Sequence, residues 1–313
     1  GLLLAAIAGI FLYVKFHDKF TGEIRDPRGF TISKTGTYGT AGWMSEKDMK
    51  EVLELTTPSK AEGNILGEHK GQLVCLPKDT RLNRHTAIFG ASGTMKSRAV
   101  IRNALFQAIK RGESVIISDP KSEMYNDTSQ LFRNNGYEVK VFNLVDPTRS
   151  DTWNCMSDMG TDSLMAQMLT NIIIGNTNSG KSDHFWDNGE LNLLKALVLY
   201  VALDSNRTED QKNLAEVYLM ITDKSDKDYA DIYKDLPKDH PARSSLNLYI
   251  QASETVRQGI KQGLGTRLQV LQNKVVTRLI SGNEIDLTAP GKRKCAYYII
   301  LSDQETSMAF LSS

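Results

Sequence analysis

The spacing of apolar positions changes character three times along the chain. Residues 1–14, from Gly1 to Val14, are apolar on every side and leave no polar face. Fourteen helical residues span about 21 Å, less than the ~30 Å hydrocarbon core. This stretch is therefore expected to be the last part of a transmembrane helix. Lys15, Lys19, Arg25 and Arg28 follow it closely, which by the positive-inside tendency predicts that the bulk of the chain faces the cytoplasm.

Beyond that stretch, short apolar or alternating runs recur between helical ones. Residues 71–76, 86–89, 114–118 and 137–144 predict strands. Ser45, with Asp48 three residues on, opens a short helix to about Leu55. Residues 98–110 place Val100, Ile101, Leu105, Ala108 and Ile109 on one helical face. From 161 to about 280 only helical spacing remains. Its last part carries one stripe through Val256, Ile260, Leu264, Leu268, Leu271, Val275 and Leu279, which predicts a single long helix. A strand signal returns at 296–301. Strands alternating with helices argue an α/β fold with a doubly wound parallel sheet. The switch to helix and back argues an inserted all-α domain. The expected segments are 1–20, the end of a membrane helix; 21–160, the first part of the α/β domain; 161–281, the all-α domain; and 282–313, a return strand of the α/β domain.

Composition narrows this reading little. Apolar residues make up 40% and charged residues 24% of 313, which excludes a wholly disordered chain. A net charge of +1 gives no global field toward nucleic acid, so any DNA contact would need local patches. Cys75, Cys155 and Cys295 are too far apart for metal-ligand spacing and read as reduced thiols.

The chemistry concentrates in Gly90-Ala91-Ser92-Gly93-Thr94-Met95-Lys96-Ser97. A predicted strand leads into it and a predicted helix leaves it, the context of a phosphate-binding loop. Such a loop aims backbone N–H groups at a phosphate, and the helix N-terminus adds partial positive charge. Lys96 would reach the outer phosphates, and the Ser97 hydroxyl would sit on Mg²⁺. The pattern asks for Gly before the Lys, where this chain has Met95; its Cβ would be strained in a left-handed conformation. Gly175-Asn176-Thr177-Asn178-Ser179-Gly180-Lys181-Ser182 matches the pattern at every position. The segment before it has helical spacing, so it is read as a polar loop between two helices. Asp119 and Asp303 each end a strand-like run. Asp119 reads equally as a ligand of Mg²⁺ or its water and as a strand-end turn residue. Arg267, Lys274 and Arg278 share one face of the last predicted helix, read as a solvated face before a DNA- or protein-facing patch. His184 and Trp186 read as packing residues.

Five elements in order carry a wider resemblance. They are Gly39-Thr40-Ala41-Gly42-Trp43, the 90–97 loop, Ile116-Ile117-Ser118-Asp119-Pro120-Lys121-Ser122-Glu123, Asp151-Thr152-Trp153-Asn154 and Phe185-Trp186-Asp187. Together they resemble the coupling proteins of type IV secretion and conjugation, the TraG/TraD-like branch of the RecA-like DNA-translocase ATPases. Ser122 stands where that family usually has Gly. The resemblance implies a RecA-like P-loop core, partial in this chain, with an inserted all-α domain and an N-terminal transmembrane helix. It implies a homo-hexameric ATPase anchored in the inner membrane, using ATP and Mg²⁺. Such a protein recruits a relaxase–DNA complex and drives the DNA toward the components of a type IV secretion channel. The family also carries an Asp-Glu pair on a later strand. No such pair precedes Ser313, so this stretch alone is expected to bind nucleotide without useful hydrolysis. Two other classes fit the same residues: a translocase of the FtsK or HerA type, which lacks the helical insertion, and a nucleotide-binding but non-hydrolysing docking receptor, which Met95 favours.

Overall fold

The computed structural model describes residues 2–21, 23–25, 27–29, 31–33, 42–177, 184–301 and 311. The chain divides into two compact units, Gly1–Arg84 and His85–Ser313.

In the first unit, helix α1 covers Leu2–Thr21 and is followed by the antiparallel pair β1 (Glu23–Arg25) and β2 (Thr31–Ser33). Residues 1–14 read in the sequence as the end of a transmembrane helix; α1 carries them on into the charged residues Lys15, Asp18 and Lys19, and among the described residues no helix is long and apolar enough to cross a membrane. Helix α2 covers Glu46–Val52. The Ser45 side chain accepts from the Asp48 N–H, the start signal seen in the sequence. Strands β3 (Glu54–Thr56), β4 (Asn64–His69) and β5 (Gln72–Leu76) form an antiparallel sheet in the order β3-β5-β4. The β4–β5 turn carries Lys70 and Gly71 at φ +51° and +78°, the left-handed pair of a tight hairpin. On α2, the Glu46 carboxylate accepts from Lys70 and, at 3.2 Å, from His69.

In the second unit, a π-helical turn, Ser97–Ile101, runs into α3 (Arg102–Arg111). Then follow β6 (Val115–Ser118), α4 (Glu123–Asn134) and β7 (Glu138–Asn143). The helical region holds α5 (Cys155–Met159), α6 (Ser163–Asn176), α7 (His184–Leu203), α8 (Leu214–Asp223), α9 (Asp226–Asp235), α10 (Ala242–Gln251), α11 (Glu254–Arg267) and α12 (Lys274–Ser281). Strand β8 (Cys295–Ile300) returns to the sheet between the two earlier strands, all parallel, in the order β6-β8-β7. A central parallel strand is covered on both faces, so nearly every β8 side chain is buried. Alternation sends Tyr298 to one face, where its hydroxyl meets Thr128 of α4 at 2.7 Å. Tyr297 goes to the other, where it donates to the Asp286 carbonyl at 2.8 Å.

The core follows from these two faces. Leu105 of α3, Phe132 of α4 and Tyr298 fill one side of the sheet. On the other side Phe142 and Tyr297 join the core of the helical region. Its centre is α7, whose last eight residues, 196–203, are apolar all round; Leu193, Leu194, Val198, Leu199 and Val201 are fully buried. The two connections between sheet and helices are tied together. The Thr152 N–H and hydroxyl both donate to Glu284 Oε2, at 2.9 and 3.0 Å. The Trp153 N–H donates to the Leu279 carbonyl at 2.8 Å and the Ile285 N–H to that of Thr152 at 3.1 Å. A Cβ at Gly282 would lie 2.9 Å from the Thr152 Cβ, so the crossing has room only for glycine.

Two expected elements differ. Residues 86–89 are not a strand, and Phe89 is 94% exposed. A parallel strand exists only by pairing, and no described strand pairs with this run. The long helix expected over 254–279 is broken at Leu268. A 3₁₀ turn, Gln269–Gln272, follows, and the Asn273 side chain then caps α12 by accepting from the Val275 N–H at 2.9 Å. Both pieces still turn their stripe residues inward, with Ile260, Leu264, Leu268, Leu271 and Leu279 buried.

Candidate nucleotide-binding site

The 90–97 loop is built from glycine-dependent turns. A Cβ at Gly90 would lie 2.6 Å from the Thr94 hydroxyl. Gly93 sits at φ +81° and Met95 at φ +62°. Left-handed backbone costs a Cβ-bearing residue about 1–2 kcal/mol, so Met95 carries the strain that its sequence position implied. Lys96 already has helical angles, and the Ala99 N–H donates to the Met95 carbonyl at 2.8 Å. The helix therefore starts at the end of the loop, where its first N–H groups have no partner inside the helix.

The Lys96 ammonium folds back over this loop. It donates to the carbonyls of Gly90, at 2.6 Å, and Ala91, at 2.8 Å. Thr94 donates to the same Ala91 carbonyl from its hydroxyl, at 2.8 Å. The result is a closed hoop with an ammonium and a helix N-terminus at one mouth. Residues 90–95 are exposed and Lys96 and Ser97 half-buried, so the hoop is open to a ligand. The arrangement suits an anion. Behind it, α3 lies against α4 through the Arg102–Asp127 ion pair and packs on the sheet through Leu105.

Asp119 follows β6 and is 4% exposed. Its Oδ2 accepts from the Tyr125 N–H at 2.9 Å, and its carbonyl accepts from the Ser122 N–H at 3.2 Å. Ser122 stands at φ +59°. One carboxylate oxygen thus closes the turn into α4. No group of three or more His, Cys, Asp or Glu side chains among the described residues could hold a metal ion.

Of the second matching stretch, Gly175 and Asn176 end α6 and the Thr177 hydroxyl donates to the Ile173 carbonyl at 2.7 Å. A helix, not a strand, precedes it. Lys181 and Ser182 lie outside the described residues, as do Asp303 and residues 39–41.

Arg267 corrects the expected surface patch. It points into the helical core, with its side chain 13% exposed. Its Nη2 donates to Asp187 at 2.5 Å and its Nε to Glu190. Lys274 and Arg278 stay exposed. Helix α11 comes close enough to α7 for this triad because the contact is glycine-lined. A Cβ on Gly259 would lie 2.6 Å from Trp186 Cζ3, and one on Gly189 would lie 2.6 Å from Ile260 Cδ1. Burial pushes the Glu190 carboxyl above its ordinary pKa, against the pull of Arg267. Sequence reasoning missed this triad; the Gly259–Gly263 spacing of four was its only signal.

The sequence profile of the family described as type IV secretory system conjugative DNA transfer matches residues 37–312. The chain belongs to that family. No curated protein matches. Among solved structures, the chain is similar to the bacterial conjugative coupling protein TrwB in its unbound form, at 16% identity and a TM-score of 0.46. It is similar also to TrwB with ADP and Mg²⁺, at 16% and 0.46, and with a non-hydrolysable GTP analogue, at 16% and 0.47. In each case 71% of this chain is covered; the covered part is 47% of the unbound TrwB chain and 48% of the other two, so this chain matches about half of their length.

Proposed function

We propose that this chain is the nucleotide-binding and helical part of a membrane-anchored coupling ATPase for conjugative DNA transfer. One observation carries the nucleotide reading: the Lys96 ammonium and a helix N-terminus converge on one exposed hoop. Nucleoside triphosphate with Mg²⁺ would supply the phosphoryl group. Lys96 would exchange its loop carbonyls for phosphate oxygens, and the Ser97 hydroxyl would hold the metal. The full protein would work as a homo-hexamer at the inner membrane, with its bulk in the cytoplasm. Its helical region would recognise a relaxase–DNA complex and pass it to the secretion channel.

The test is ADP and ATP binding by calorimetry for Lys96→Ala and Lys181→Ala. A charge-assisted hydrogen bond contributes about 1.5–3 kcal/mol, so Lys96→Ala is expected to lose about 10- to 150-fold. Lys181→Ala is expected to bind as wild type. The reverse pattern would move the site to the second stretch.

A second reading, a nucleotide-binding receptor that does not hydrolyse, is favoured by Asp119. This strand-end carboxylate has one oxygen committed to the α4 turn. Phosphate release that continues over many turnovers and disappears in Lys96→Ala would reject it.

A further inference from the structure

A cavity of about 210 Å³ lies on the face of the sheet that joins the helical region. Strand register builds its floor. Ile116, Tyr297 and Lys140 form one cross-strand row, and Ile299 and Phe142 form the row two residues on, so their side chains share this face. The two connections between sheet and helices supply the walls, through Trp153 on one and Ile285 and Leu287 on the other. The Phe142 and Trp153 rings meet edge to face, with centroids 5.8 Å apart. Phe142, Tyr297 and Ile285 are buried, whereas Ile116 is 61% and Leu287 49% exposed and mark the mouth.

The polar side chains of the lining are already satisfied. The Lys140 ammonium lies 3.2 Å from Asp151 Oδ1. Trp153 Nε1 donates to Asp158 at 2.5 Å and the Tyr297 hydroxyl to the Asp286 carbonyl. The Tyr298 hydroxyl turns to Thr128 on the other face. What the cavity offers is therefore almost entirely carbon, most of it in rings.

We propose that this cavity binds a small, uncharged aromatic molecule of about the size of toluene. Size and lining together select that class. A dry apolar cavity of about 150 Å³ takes benzene, so this one has room for a substituted ring. Ring edges and faces attract a further ring beyond what area alone gives. A charged or strongly polar ligand would give up its water and find no unpaired group in exchange. None of the lining residues belongs to the 90–97 loop, so the site stands apart from the nucleotide reading. A ring seated here touches three strands and both connections, and ties the sheet to the helical region. Binding to this folded arrangement alone raises the melting temperature.

The experiment adds toluene to the purified chain carrying ¹³C-labelled Ile and Leu methyl groups. The expected result is that the methyl signals of Ile285, Ile299 and Leu287 shift together and saturate, and that the melting temperature rises with toluene concentration. Two variants act at the exposed mouth: Leu287→Trp fills it, and Ile116→Asp sets a carboxylate there. Thermal melts check that both remain folded, and each is expected to bind toluene at least about tenfold more weakly. The proposal is overturned if toluene leaves the lining methyl signals unmoved, or if both variants bind it as wild type does. It is overturned also if N-acetyl-phenylalanine amide binds where toluene does not, which makes this a seat for a polypeptide side chain. Adenosine moving the same signals more strongly than toluene would overturn it too, by making the cavity part of the nucleotide site.

Discussion

Replacing Gly263 by Ala tests the α7–α11 contact with two opposed effects. On helix propensity alone, Ala in place of Gly stabilises by about 1 kcal/mol. Here the new Cβ would overlap Glu190 Oε1 and lie 3.1 Å from its Cδ. The Glu190 carboxylate is 4% exposed and held by Arg267, so it has no room to swing aside without leaving that partner. Breaking a buried ion pair while leaving one charge behind costs about 3–5 kcal/mol. The expected net loss is about 2–4 kcal/mol from those two terms. At about 2–4 °C per kcal/mol for a unit of this size, the melting temperature should fall by about 4–16 °C. The assay is thermal and urea unfolding of Gly263→Ala alone and in a Glu190→Ala background. Without the carboxylate the overlap is gone, and the same substitution should then stabilise by up to about 1 kcal/mol. Stabilisation in both backgrounds would refute the placement of Glu190 against Gly263.

Met95→Gly removes a left-handed Cβ from the loop and is expected to leave ADP affinity unchanged or to tighten it by up to about tenfold; a marked loss by calorimetry, with the fold intact, would make the Met95 side chain part of the site. Asp119→Asn keeps an acceptor for the Tyr125 N–H, so the Mg²⁺ dependence of nucleotide binding should not change, whereas Asp119→Ala should cost about 1 kcal/mol in urea unfolding as a lost turn closure. The hydrogen bonds from Lys70 and then His69 pull the Glu46 carboxyl down to about 2. Its folded-state value lies below the ordinary one, so its contribution is present above pH ~4.3 and lost as pH falls toward about 2. Carboxyl ¹³C titration reads that midpoint, and Lys70→Met should return it toward the ordinary range.

Local pattern was enough to place much of this chain. The runs that became β5, β6, β7 and β8, the Ser45 cap of α2 and the glycine turns of the 90–97 loop all depend on neighbours a few residues away, so spacing and residue type report them. The strain at Met95 was legible for the same reason: a Cβ in a left-handed turn is a property of one residue. Asn273 was also a readable start signal, and an unbroken apolar stripe hid it, because buried spacing persists across a break that keeps one face inward. Other features needed contacts far apart in sequence. Pairing decides whether residues 86–89 become a strand, and it puts the last strand, β8, in the middle of the sheet. Packing turned Arg267 from an expected surface charge into the centre of a buried triad, since three glycines let α11 approach α7. Position alone leaves Asp119 equally a metal carboxylate and a turn residue; its hydrogen bond to the Tyr125 N–H depends on how the chain turns into α4. Residue types set which groups can carry charge or bend the backbone, and only tertiary structure sets which of them meet.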